Sequence, residues 1–222
     1  MPAMHAIFTT DPSKWTAHQV ADRMHLAFVV STIGVLVGGF RGVGISETTH
    51  WISNGLSVGL LITGALLLRS LARGVSTRRL FAITVGLLMV LTITAALPYR
   101  SDVGSLALLL AVPIAFSAGT SGLCLERGLD RSAESWRTLT TLFAWISAGT
   151  MLVALEDAGS WSIAQSPFLL SDVIIPLFFT VFVIGAMLAP FLVPWAAYRM
   201  VQAQREQHIG DLEASIVSST RA

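Results

Sequence analysis

With 222 residues, 54% of them hydrophobic and 12% charged, and a mean hydropathy of +0.71, this chain has the composition of a membrane protein. A net charge of +1 makes no case for a nucleic-acid partner, and the single cysteine, Cys124, excludes an internal disulfide or a cysteine-ligated metal cluster. A polar segment of more than twenty residues precedes the first apolar run, so no cleavable signal peptide is expected.

Residues 1–23 read as a cytoplasmic or interfacial segment. Asp11-Pro12 joins an N-cap to a first-turn proline and predicts a helix from near Ser13, running past Trp15 and Val20 along the membrane surface. It continues into a first span at 24–40. The second span is 55–71, with Arg69 at its inner end, and the third is 80–97, stopped by Pro98. A fourth, 103–123, carries Pro113 inside it, and a fifth, 139–155, ends at Glu156 and Asp157. The sixth is the most decisive. Its 26 residues, 173–198, hold no charge between Asp172 and Arg199. As a helix they reach roughly 39 Å, against a hydrocarbon core of about 30 Å. Pro190 and Pro194 remove backbone donors one turn apart and predict a kink there. The tail, 200–222, is expected to be helical as far as a stop at Gly210. The expected architecture is therefore all-α, a polytopic bundle with a six-helix transmembrane domain at 24–199.

Loop charges orient it. Lys14, Arg23, Arg69, Arg73, Arg78, Arg79, Arg127, Arg131, Arg137, Arg199, Arg205 and Arg221 fall on one side, and Arg41 and Arg100 on the other. The positive-inside rule then places both termini in the cytoplasm. Aromatic anchors agree, with Trp15, Trp136 and Trp195 inside and Trp51, Tyr99 and Trp161 outside.

Two constellations stand out. Gly34, Gly38 and Gly42 recur every fourth residue on the first span, and Gly55 and Gly59 repeat the spacing on the second. Such faces let helix backbones approach closely, which predicts packing of the first two spans on each other, with a dimer or partner interface as the second reading. The outer side gathers Arg41, His50, Arg100, Asp102, Glu156 and Asp157 near span ends. They read as solvated span terminators or as the frame of an outward-facing polar pocket.

Span interiors hold no ionisable residue, which disfavours proton pumps and voltage sensors. Thr84, Thr92 and Thr94 in the third span and Trp145 in the fifth are expected to serve packing and interhelical hydrogen bonds. Phe178, Phe179 and Phe182 on the sixth are expected to face lipid. Haem is disfavoured because His25 and His50 sit at opposite depths, and retinal because the only lysine, Lys14, precedes the first span. His18 and His25 read as solvated rather than as metal ligands, and no P-loop, zinc helix or nucleophile elbow is present.

Residues 50–56, His-Trp-Ile-Ser-Asn-Gly-Leu, together with 97–102, Leu-Pro-Tyr-Arg-Ser-Asp, and the arginine-bearing loop 127–137 resemble a bacterial family of six-helix membrane proteins, domain of unknown function 998. That resemblance spans about 50–200 and implies architecture and topology rather than an activity. The reading that results is a non-catalytic protein of the bacterial inner membrane. It would be an accessory subunit of a larger assembly or a lipid-binding protein, with membrane lipids and intramembrane proteins as partners. An enzyme or carrier for a lipid-soluble molecule, using the outer pocket, is the alternative.

Overall fold

Residues 15–39, 47–96, 102–157 and 174–220 are described by the structure, a computed structural model, and they form helices, with short described turns at 72–74 and 127–129. Among the described residues six helices follow one another: α1 (Ala17–Gly39), α2 (Glu47–Leu71), α3 (Val75–Ala96), α4 (Asp102–Glu126), α5 (Asp130–Asp157) and α6 (Ile174–Thr220). No strand occurs among the described residues. Each helix packs against its neighbours in the chain, and α6 returns to α1, so the six close into a ring.

Local chemistry sets the boundaries. Thr16 starts α1 through a capping box: its hydroxyl accepts from the Gln19 N–H at 3.3 Å, and the Gln19 side-chain oxygen accepts from the Thr16 N–H at 3.1 Å. The start expected from Asp11-Pro12 falls outside the described residues, and the described helix begins later, because a Thr-x-x-Gln pair satisfies two N-terminal donors at once. At the α4–α5 turn Gly128 takes φ +70°. The Leu129 N–H then reaches the Cys124 carbonyl at 2.9 Å and the Gly128 N–H reaches Leu125 at 3.1 Å, closing a Schellman motif that a residue with a Cβ would strain. Gly210 does not stop α6, contrary to expectation, because the helix runs on to Thr220. Glycine ends a helix only where the chain also turns, and at Gly210 it does not.

Side-chain hydroxyls stitch the antiparallel seams. Ser57 donates to the Gly34 carbonyl at 2.6 Å and Ser53 to the Val37 carbonyl at 2.8 Å, holding α2 to α1. Ser121 donates to Ala133 at 3.0 Å, and Thr140 donates to the Ser117 hydroxyl at 3.0 Å, holding α5 to α4. The third-span threonines act differently from expectation. Thr84, Thr92 and Thr94 donate to Leu80, Leu88 and Leu91 on their own helix, as a threonine does when no acceptor on the next helix is closer.

Among the described residues four helices carry stretches long and apolar enough to cross a membrane: Ala17–Val37, Ile52–Leu71, Val75–Thr94 and Ala107–Glu126. A fifth is added if Val183–Ala189 and Phe191–Gln207, the arms of α6, count as one span bent by 44°. That bend falls at Pro190, where a kink was expected from the missing amide hydrogen. The expected span at 139–155 is not among these, and the side chains of 152–157 at its end lie outside the described residues. Outward positions are apolar along the crossing helices, with Leu26, Val29, Ile33 and Leu36 on α1 and Ile83, Val90 and Ile93 on α3 all exposed. A water-soluble bundle would reverse that pattern, and a lipid-facing one requires it.

One core fills the ring toward the end where the described arginines lie. Trp136 is fully buried there, stacked on Phe28 with ring centroids 5.7 Å apart and meeting Phe116 edge-on at 6.3 Å. Phe81 meets Phe116 edge-on at 6.2 Å, and Met24, Leu68 and Met200 bring in α1, α2 and α6. Trp136 is thus a core residue rather than the interfacial anchor the sequence suggested, because α5 turns it inward onto Phe28.

Candidate functional site

The arginine-bearing end is built by cross-helix clamps. Glu126, the last residue of α4, accepts from the Arg73 N–H at 2.6 Å and takes further hydrogen bonds from the Gly74 N–H and the Thr77 hydroxyl. A carboxylate from one helix thereby caps the N-terminus of another, α3, where unpaired amides and the positive end of the helix dipole favour an anion. Arg127 answers on the other side of the turn, donating to the Leu71 carbonyl at 2.6 Å, and Arg78 donates to Ala72 at 2.7 Å. The first bond satisfies the last carbonyl of α2 and the second the carbonyl just beyond it. Burial pulls the Arg127 pKa below the ordinary arginine value, the nearby Arg73 guanidinium adds to that, and Glu126 works against it.

On the opposite flank α1 meets α6. Arg23 lies 3.6 Å over the Trp15 ring, and Asp22 pairs with Arg205 and with His18, each at 3.5 Å. His18 therefore faces a carboxylate four residues on. Among the described residues no group of three or more His, Cys, Asp or Glu side chains is placed to hold a metal.

Between α5 and α6 the same end opens into a groove of about 630 Å³. The first two turns of α5 contribute Arg131, Ser132 and Ser135, and α6 contributes Trp195, Tyr198, Arg199, Gln202, Ala203 and Glu206. These α6 positions recur at three- and four-residue steps, so they share one face. Above them that face continues through the exposed side chains of Phe191 and Leu188. The Arg199 guanidinium carbon sits 5.1 Å from the Trp195 ring centroid, a contact that holds both over the groove. Among the described residues the ion pairs are those of Asp22, so neither Arg131 nor Arg199 has a carboxylate within pairing distance, although Glu206 shares the groove.

The residues expected to form an outer pocket fall outside what the structure describes. Arg41 and Arg100 are outside the described residues, and so are the side chains of His50, Asp102, Glu156 and Asp157. Antiparallel connectivity does place the starts of α2 and α4 and the end of α5 at one end of the ring, opposite the arginines. The glycines separate into two groups. Gly34 is packed, and a Cβ there would stand 3.0 Å from the Ser57 carbonyl oxygen on α2. Gly55 and Gly59 face open space, and their place in the α1–α2 contact is taken by Gly64, where a Cβ would meet the Ala27 carbonyl oxygen at 2.9 Å. Gly42 lies outside the described residues, as does everything at Gly38 beyond its helical backbone. The side chains of Phe178, Phe179 and Phe182 are likewise outside them, and Trp145 is 56% exposed on α5.

Comparison with known proteins adds no relative: no family model, no curated protein and no solved structure matches the chain. Sequence reasoning missed the groove. Its signal was present in Trp195 and Arg199, read only as an aromatic anchor and a loop charge, but the partner face on α5 could be found only once α5 and α6 were packed.

Proposed function

We propose that this chain is a six-span protein of the bacterial inner membrane, with both termini cytoplasmic, that binds lipid without catalysing a reaction on it. The observation that carries the reading is the groove between α5 and α6, continuous with the exposed apolar strip Leu188, Phe191 and Trp195. A lipid presents a polar head and apolar chains in that order along the bilayer normal, and this face offers a polar recess followed by an apolar strip in the same order. The hydropathy of 139–155 supports the count of six, and the arginines at one end support the orientation. Native mass spectrometry of protein extracted in mild detergent tests the reading. One defined lipid-sized mass retained per chain is the expected result, and a chain that loses all lipid under conditions that keep it folded refutes it.

A second reading rests on Gly55 and Gly59. They sit on α2 with open space where their side chains would be, a surface that another helix can approach closely. On this reading the chain is an accessory subunit of a larger assembly. Gly59→Leu then dissociates the native particle while leaving the isolated chain folded, and an intact particle rejects it.

A further inference from the structure

The geometry points to the phosphate of an anionic phospholipid as the group held in the groove, seated between Arg131 and Arg199. This rests on the lipid-binding reading above and adds to it the charge class of the ligand. Three observations carry it. Both arginines line the same recess from different helices, and among the described residues neither has a carboxylate within pairing distance. Arg78 and Arg127 at this end are engaged on carbonyls and Arg205 on Asp22, whereas the described contact of Arg199 is the face of the Trp195 ring. Two guanidinium groups lining one partly enclosed recess suit an anion, and a phosphate accepts charge-assisted hydrogen bonds from such groups.

The surroundings suit a lipid phosphate rather than a free one. Trp195 and Tyr198 have the amphipathic character of headgroup-level residues, and each is at least half exposed. From them the apolar strip rises along α6 toward the opposite end, where acyl chains would lie. Ser135 donates its hydroxyl proton to the Arg131 carbonyl at 3.2 Å, so it is committed to its own helix, and the arginines are the charged donors of the lining. Glu206 is the one carboxylate of the lining, and it opposes an anion.

The experiment uses the full chain in nanodiscs or mixed micelles, with phosphatidylglycerol and phosphatidylcholine of matched acyl chains competing at equal concentration, read by native mass spectrometry. Each arginine near an anionic lipid surface is worth about fivefold in affinity. The wild type is expected to retain phosphatidylglycerol preferentially, and Arg131→Gln with Arg199→Gln to lose roughly twenty-five-fold of that preference, while Arg137→Gln, outside the groove, keeps it. Glu206→Gln is expected to raise the preference several-fold, a gain that misfolding cannot imitate. Equal retention of both lipids by the wild type, or a preference untouched by the double substitution, overturns the inference and leaves the lipid-binding reading standing. Loss of all lipid overturns both. Displacement of phosphatidylglycerol by millimolar inorganic phosphate would make this a site for free phosphate and refute the lipid assignment.

Discussion

Trp136 offers the sharpest test of how this bundle is held together, because two of its properties pull in opposite directions. It is fully buried in the aromatic cluster, yet its Nε1–H has no acceptor among the described residues. Trp136→Ala removes the whole ring and the stack on Phe28. Large-to-small substitutions of this kind cost about 3–5 kcal/mol, of which an aromatic pair supplies about 0.5–1.5 kcal/mol. Trp136→Phe is different. It keeps a ring against Phe28 and loses only part of the packed surface, about 2 kcal/mol at roughly 0.8 kcal/mol per buried carbon group. It also removes an unpaired buried donor, which costs about 1–3 kcal/mol wherever it is left unmade. These nearly cancel, so Trp136→Phe is expected within about 1 kcal/mol of wild type. Unfolding by dodecyl sulfate titration in mixed micelles, followed by far-ultraviolet circular dichroism, measures both variants. If Trp136→Phe is as damaging as Trp136→Ala, the Nε1–H has a strong partner and the reasoning fails. If Trp136→Ala costs under about 1 kcal/mol, the cluster does not hold the ring.

Further expectations concern the seams and the tail. Glu126→Gln keeps the shape of the α3 cap but removes its charge. A hydrogen bond to a charged group contributes about 1.5–3 kcal/mol, and partial exposure reduces this to about 1 kcal/mol. The readout is faster amide exchange at Arg73 and Gly74 with the middle of α3 unchanged, and unchanged exchange at both would refute the cap. Gly64→Leu is expected to destabilise the isolated chain by about 1–3 kcal/mol or more, because even a Cβ there meets a backbone carbonyl, whereas Gly59→Leu, facing open space, leaves its stability unaltered. The same unfolding titration distinguishes them, and equal effects would reject the packing described. Gly210→Ala is expected to strengthen the end of α6 by up to about 1 kcal/mol, seen as slower amide exchange over 206–214, since the glycine sits inside a continuing helix with room for a methyl group.

Much of the fold was legible along the chain because a bilayer asks a one-dimensional question. Each backbone amide must be satisfied inside its own helix, so length and hydropathy mark the helices, and proline chemistry marks the bend in α6. The Gly128 turn went unread, although a Schellman motif is made within a few residues. What the sequence left open was every matter of facing. Helices that are apolar on all sides carry no stripe to say which side meets protein. Gly34 and Gly59 therefore looked alike until α2 was seen to turn Gly64 toward α1 and Gly59 away from it. Trp136 looked like an anchor until packing on Phe28 made it core, and Gly210 looked like a stop because composition does not report whether the chain turns. The groove belongs wholly to the tertiary structure. Arg131 and Arg199 stand far apart in the chain, and only the packing of α5 on α6 brings their charges to one recess.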